Sequence, residues 1–389
     1  MRMLITLPWG ERLGGAEAML QMILAGARER GHEPEPVFFG DGPWPAELRD
    51  AGLRVTVLPA GRLRDAHRWA LTVGRLARIM RRRQPDAIVN WAAKTQLYGA
   101  PAALLAGMPE RVVWWQQLIP DGHWLDRCAT ALPAAAVGCY SQAAARAQQR
   151  LWPVRPTFVV AAGSPLPAHS AERASSGTEL VADGPAAAGG RPPLSLPAGV
   201  PVVGLVGRLQ PWKGQDRLLR AQALLRERGR EIHTVIVGGA AYGFSTAYAA
   251  SLPALITNLG LDGAVTMTDQ VPDAGPYVEC MDVLVNASDP EPFGIVLLEG
   301  MAREVAVLAV DSGGPSEFIE HGHTGILARS GEPAALADAL EELLALAPER
   351  RVAIARAGRE RYLRDFTDAA MCTRFFDRLE TVVGGSNSA

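Results

Sequence analysis

Two short stretches in the second half of the sequence carry residue types that can handle a diphosphate and a sugar. The stretch GRLQPWKGQDRLLRA places Arg208 and Lys213 five residues apart on a glycine-flanked loop that follows the apolar run VVGLVG. An arginine fork holds a phosphate oxygen pair bidentately, and a compact ammonium adds a point charge, so the two together can neutralise a diphosphate. An exposed basic turn is the plain alternative for the same residues. Lysine is scarce here: Lys94 and Lys213 are the two lysines among 39 basic residues. Against so strong an arginine bias, a retained lysine marks a place where a planar fork is the wrong tool.

Farther on, SDPEPFGIVLLEGMA separates Glu291 from Glu299 by seven residues. Phe293, Gly294 and Ile295 stand where a helix should begin, so unpaired main-chain amides there can face a phosphate or sugar oxygen. Glu299, about a turn and a half into that helix, can accept from vicinal hydroxyls such as those of a ribose. Two glutamates at this spacing equally suit a helix start and a solvated face. The run DSGGPSEFIEHGHTGIL offers a second amide-rich corner at Gly313, Gly314 and Ser316, followed by Glu317. In the first half, LPWGERLGGAEAML sets Gly14 and Gly15 before an amphipathic helix, as a phosphate cradle or simply as a tight turn.

The elements that position these residues read as alternating short apolar runs and helical patterns, the signature of parallel sheets wrapped by helices. Strands are expected near Met3–Leu7, Val37–Phe39, Val55–Leu58, Ala87–Asn90, Val112–Trp115, Ala135–Cys139 and Phe158–Val160, each apolar throughout as a doubly covered strand is. The second half repeats the rhythm with VVGLVG, TVIVG, AVTMT, VLVNAS and VAVLAV. The stretch 166–199, rich in Pro, Ala, Gly and Ser without apolar period, reads as a linker or insertion. The expected organisation is a first domain over 1–165, that linker, a second domain over 200–365, and a terminal helical segment over 366–389.

Composition sets outer bounds. With 48% hydrophobic and 21% charged residues in 389, the chain can bury two ordinary α/β cores. The four cysteines, Cys128, Cys139, Cys280 and Cys372, lack the short spacing of thiolate metal or redox sites and read as thiols in a reducing compartment. No apolar run reaches the length of about 18 residues that a membrane span requires, and the N-terminus is too short in apolar residues for a secretory signal. A cytoplasmic protein is the expectation. The first 169 residues hold 20 basic and 13 acidic residues, which makes the first half the candidate for meeting an anionic surface although the whole chain carries −2.

Taken in order, GGAE, GRxxxxKG, ExPFGxxxxE and GGPSE with a following GxTGIL resemble the family 4 retaining glycosyltransferases, the glycosyl transferases group 1, over nearly the whole chain. The resemblance implies the GT-B fold, an α/β architecture of two Rossmann-like doubly wound domains facing a central cleft, with the C-terminal helix crossing back to the first domain. It implies a sugar taken from a UDP- or GDP-sugar donor and passed to an acceptor hydroxyl with retention and without a divalent metal. Arg208 and Lys213 would bind the donor diphosphate, and Glu291 would lie near the donor sugar hydroxyls. Phe293, Gly294 and Ile295 would offer amides, Glu299 would hold the ribose, and Gly14 and Gly15 would sit against the diphosphate.

One departure stands out. Many members carry a histidine after the fourth or fifth strand; here VVWW runs into Gln116 and Gln117, so Gln117 or Gln116 takes that place. An amide hydrogen-bonds a sugar hydroxyl but cannot become cationic. His123, a few residues on, is either a substitute or a loop histidine. Trp91, Lys94, Trp115 and His123 are candidates for the acceptor, since indoles stack on sugar faces; the tryptophans are equally candidates for the core.

No protein nucleophile and no metal-ligand spacing is evident. No cofactor is expected beyond the nucleotide-sugar co-substrate, and nothing in the pattern points to nucleic acid. A small-molecule, glycan or lipid-linked acceptor all fit. The segment 62–86 holds eight arginines against two aspartates, with Trp69, Val73, Leu76 and Met80 on one helical face. That stripe packs on the sheet, or its arginine face rests on an anionic membrane. The rival functions are a nucleotide-sugar epimerase on the same scaffold and a non-catalytic nucleotide-sugar-binding subunit.

Overall fold

Thirteen parallel strands account for both sheets of the computed structural model, which describes residues 1–12, 14–61, 63–167, 194, 196–240 and 245–385. Most of the expected linker 166–199 lies outside the described residues. The chain divides into two units, Met1–Ala162 with Ala369–Ala389, and Gly163–Asp368.

In the first unit the strands are β1 (Arg2–Leu7), β2 (Glu33–Phe38), β3 (Thr56–Val57), β4 (Ala87–Asn90), β5 (Val112–Gln116), β6 (Ala136–Cys139) and β7 (Thr157–Val159). They lie in the order β3-β2-β1-β4-β5-β6-β7. Strand order therefore reverses between β1 and β4, the point at which doubly wound sheets bind ligands beyond their carboxyl ends. Strand β2 begins four residues earlier than its apolar run, and two of those residues, Pro34 and Pro36, lack an N–H. Glu33 and Phe39 donate to the carbonyls of Met1 and Leu7, so the odd positions face β1. The prolines face the other way, where pairing with β3 starts only at Val37 and Thr56. No ladder bond is lost.

Helix Gly15–Glu29 buries Met19, Leu20, Ile23, Leu24 and Ala27 at helical spacing. Helix Ala66–Arg83 starts at Asp65, whose side chain accepts from the Arg68 amide, and ends in three arginines that suit the negative end of its dipole. Its Val73, Leu76 and Met80 are fully inside, each contributing about 1.5–3 kcal/mol. Helix Asp368–Gly385 joins this unit through Phe375, which packs on Trp91 and Trp115, and through Cys372, which fills the space left by Gly26.

In the second unit β8 (Val202–Val206), β9 (His233–Val237), β10 (Val265–Met267), β11 (Val283–Asn286), β12 (Ala306–Val310) and β13 (Ile326–Ala328) lie in the order β10-β9-β8-β11-β12-β13. The reversal here falls between β8 and β11. Strand β13, three residues long, belongs to the GxTGIL motif and is not among the strands expected from sequence, because so short a run has no period to read. Each unit is a doubly wound α/β sheet of Rossmann type. Among the described residues no helix is long and apolar enough to cross a membrane.

Candidate functional site

The loops that leave β8 and β11 flank the switch point of the second sheet, and a single ion pair joins them. Lys213 Nζ lies 2.8 Å from Glu291 Oε2, with both side chains largely buried. Asn286, the last residue of β11, donates from Nδ2 to the same carboxylate oxygen at 3.1 Å. Burial by itself would push the Glu291 carboxyl up, but the Lys213 charge and hydrogen bonds from Lys213 and Asn286 hold it below the usual carboxylate range. The Lys213 ammonium also sits over the Trp212 ring, 4.0 Å from its centroid. What brings Lys213 here is Gly214: its φ of +75° is left-handed, and a Cβ would run into the Ala287 carbonyl oxygen. Helix Gln215–Glu227 starts directly behind it.

Arg208 is half-buried on the same loop, and among the described residues its guanidinium has no carboxylate partner. Its carbonyl accepts from Gln215 Nε2 at 2.9 Å, which fixes the backbone and leaves the fork free. The loop thus presents one uncommitted cation and one that is shared with Glu291.

Helix Ile295–Ala302 begins at Gly294, which takes φ +94°, and no side chain caps it. Its first amides, including that of Ile295, stay open to a ligand oxygen. The Phe293 side chain is buried against Phe318 and Phe366, so only its main chain can meet a ligand. The corner at Gly313 and Gly314 differs from the expectation of a second strand-to-helix turn in two respects. Pro315–Glu317 is a single 3-10 turn, and the Gly314 amide donates to the Glu291 carbonyl at 2.8 Å. The Gly314 amide is thus spent on holding the Glu291 loop in place.

Glu299 is half-buried in the second turn of the same helix, and none of the described residues hydrogen-bonds its carboxylate. Burial raises its carboxyl above the ordinary range, Arg303 pulls it back, and Asp273 raises it again. Arg303 is itself engaged, with NH1 on the Glu299 carbonyl at 3.1 Å and Nε 3.4 Å from Glu279. An unsatisfied carboxylate beside an open helix start is what a vicinal diol would complete.

In the first unit Gly14 precedes helix Gly15–Glu29 as an uncapped, extended residue, and Gly15 is exposed. Trp91 and Trp115 are not available to an acceptor. Both are fully buried and stack on each other at 5.2 Å and 8°, and the Trp91 indole N–H donates to the Ala16 carbonyl at 3.1 Å. Trp114 is buried as well. Placed on β5 and behind β4 in a sheet covered on both faces, these rings become core. The two glutamines separate cleanly. Gln116 is buried and spent, donating to Asp126 at 3.1 Å and to Gln148 at 3.3 Å and accepting from the Leu118 amide. Gln117, just past the end of β5, donates to the Trp91 carbonyl and is half-buried, so it is the one at the sheet edge. His123 caps helix Trp124–Ala131, its Nδ1 accepting from Leu125, which commits one ring nitrogen to structure. Lys94 is half-buried in the first turn of helix Ala93–Ala106.

Three residues near the site escape sequence reading. Asn286 is the polar end of an apolar strand, a signal visible in VLVNAS. Asp273 and Arg303 bear on Glu299 only because the fold brings the segment at 273–279 against the C-terminal end of its helix.

Residues 191–361 match the family model described as glycosyl transferases group 1. The chain carries a glycosyl transferases group 1 domain. Curated relatives are D-inositol 3-phosphate glycosyltransferases, from Nocardia farcinica at 40% identity over 161 residues (40% of this chain, 36% of that one) and from Thermobispora bispora at 33% over 209 residues (50% and 48%). The matched region thus spans less than half the length of those relatives. Among solved structures, Anabaena HepE in complex with UDP and glucose superposes with a TM-score of 0.79 at 25% identity, covering 97% of this chain and 99% of that one. Sucrose-phosphate synthase from Thermosynechococcus elongatus gives 0.77 at 19% identity, covering 99% of each chain, and shows the fold alone. The fold of the chain is thereby GT-B, and its matched domain contains Arg208, Lys213, Glu291, Phe293, Gly294, Ile295 and Glu299.

Proposed function

We propose that this protein is a retaining glycosyltransferase that takes a sugar from a nucleotide diphosphate donor, with UDP the favoured nucleotide, and needs no divalent ion. The observation that carries the reading is the second switch point, where Arg208 is uncommitted and Lys213 is held by Glu291. A diphosphate arriving there meets one free fork and one ammonium already positioned by a buried carboxylate, so little reorganisation is needed as charge develops on the leaving phosphate. The bond from the sugar carbon to the β-phosphate oxygen breaks while the acceptor oxygen bonds that carbon on the same face. A phosphate oxygen takes the acceptor proton, which leaves configuration unchanged and requires no protein nucleophile. Glu299 receives the ribose hydroxyls, and Glu291 lies on the side of the donor sugar. HepE, solved with UDP and with glucose, supports the choice of nucleotide.

The acceptor in this reading is water-soluble. Helix Ala66–Arg83 spends its apolar stripe on the core through Val73, Leu76 and Met80, leaving an outward face of Arg68, Arg75, Arg78 and Arg82, whereas a helix that lies in a bilayer needs its apolar face free. A thermal-shift screen of nucleoside diphosphates and their sugars tests the whole reading, since a ligand at a hundredfold its Kd adds about 2.7 kcal/mol. Stabilisation by UDP and a UDP-sugar, followed by slow hydrolysis of that sugar nucleotide, is the expected result. Stabilisation without any hydrolysis or transfer would favour the binding subunit, and isomerisation of the sugar would favour the epimerase.

A further inference from the structure

Asn286 closes an otherwise apolar strand, and both ends of its amide are used. Its Oδ1 accepts from the Ser288 amide at 3.0 Å, a turn made within the chain that leaves β11. That bond fixes which way the side chain points, because the end that meets a main-chain N–H has to be the oxygen. Nδ2 therefore faces Glu291 and donates to its Oε2 at 3.1 Å. Asn286 is only 4% exposed, so water does not stand in for either partner.

Glu291 is gripped at points that differ in stiffness. Its main chain is tied to the loop after β12, where the Gly314 amide donates to the Glu291 carbonyl at 2.8 Å and the Glu291 amide donates to the Ser312 carbonyl at 3.4 Å. Its carboxylate takes Lys213 at 2.8 Å as well as Asn286. Both bonds fall on Oε2, and Oε1 takes neither. Of the two partners lysine is the looser, its ammonium standing at the end of a flexible four-carbon stem. The Asn286 amide is carried on a short side chain at the end of a strand and is locked by Ser288. It also lies beside the start of helix Ile295–Ala302, since a Cβ on Gly294 would come within 3.6 Å of Asn286 Nδ2.

We propose that Asn286 is a positioning residue: it keeps the Glu291 carboxylate in place, with Oε1 turned to a hydroxyl of the donor sugar, while a diphosphate competes for the Lys213 ammonium. The inference rests on the transferase reading for the ligand and on the end of β11 for the geometry. Without Asn286 the carboxylate would follow the ammonium, and the sugar would lose its acceptor as the diphosphate gained a cation. A second flexible cation in place of Asn286 would be drawn to the diphosphate in the same way; a neutral amide is not. An apolar residue, the ordinary choice in a buried strand, would leave the carboxylate to Lys213 alone.

Two substitutions separate this role from the turn. Asn286→Ser and Asn286→Thr each keep a hydroxyl for the Ser288 amide but fall short of Glu291, and either one decides if the other does not fold. Calorimetry on the full chain compares UDP with UDP-glucose. In the variants UDP-glucose should bind about fivefold or more weakly than in wild type, while UDP stays within about twofold. No loss, or an equal loss for both ligands, overturns the proposal. A second measurement needs no ligand. The Glu291 carboxyl lies below the ordinary range, with Lys213 the charged group that bears on it, so removing a donor lets it rise. The variants should therefore melt lower than wild type at pH 7, and the gap should narrow on acidification toward pH 3. A gap that does not change with pH overturns the proposal. Wild type that binds neither ligand strikes the transferase reading instead, and the pH dependence of the gap then decides whether Asn286 holds Glu291.

Discussion

Lys213 and Glu291, 78 residues apart in sequence, meet at 2.8 Å across the line where the second sheet reverses its strand order. The pair supplies both rigidity and charge, so the consequences of Lys213→Ala are twofold. Loss of the leaving-group contact should cost about 2–4 kcal/mol of transition-state stabilisation, roughly thirtyfold or more in kcat/KM. Leaving Glu291 buried and uncompensated should also cost about 3–5 kcal/mol of stability. The double variant Lys213→Met, Glu291→Gln should regain most of the melting temperature and none of the turnover. Turnover of Lys213→Ala within threefold of wild type would remove Lys213 from the diphosphate clamp.

Acid should separate Glu291 from an ordinary surface glutamate. Its folded-state pKa is depressed, so its contribution to stability is present above the ordinary carboxylate range and is lost as pH falls through the folded value. Glu291→Gln should therefore melt lower than wild type at pH 7, and the gap should close on acidification toward pH 3. Parallel melting curves across that range would show that the pair contributes nothing.

Glu299 carries the opposite sign. Its folded-state pKa is raised, so stability is fully present below the unfolded value and is lost as pH rises through the folded one. Glu299→Gln should melt at or above wild type at pH 7 while donor affinity by calorimetry drops about tenfold, the removal of a charged acceptor from two hydroxyl bonds at roughly 1–2 kcal/mol. Unchanged donor affinity would make the carboxylate structural.

Metal dependence gives a third axis. In the proposed mechanism Arg208 and Lys213 carry the diphosphate charge, so EDTA should leave the transfer rate unchanged within twofold. A rate abolished by EDTA and restored by magnesium or manganese would overturn this part of the mechanism.

Vesicle flotation addresses the arginine face of helix Ala66–Arg83. Since its apolar stripe is buried, vesicles rich in anionic lipid should carry little protein to the top of the gradient at physiological salt. Strong, salt-sensitive flotation would restore a lipid-linked acceptor.

The sequence by itself determined most of the strands, β13 and the first part of β2 excepted, and which residues could touch a diphosphate. Strand and helix periods are local, and a strand buried on both faces declares itself in a run such as VAVLAV; Arg208, Lys213 and the two glutamates stand out by type and by their place beyond such runs. What the chain could not declare is partner choice, which depends on residues far apart. Only the tertiary structure decided that Lys213 is shared with Glu291, and that the Gly314 amide is spent on the Glu291 loop. It also decided that Gln116 is inside while Gln117 is at the edge. The tryptophans show the same limit: Trp91 and Trp115 have the chemistry of a sugar platform, but neighbouring strands and the terminal helix close over them and make them core. Pro34 and Pro36 hid most of β2, because whether a proline breaks a strand depends on which side the missing N–H faces, and only the register of β1 and β3 fixes that side.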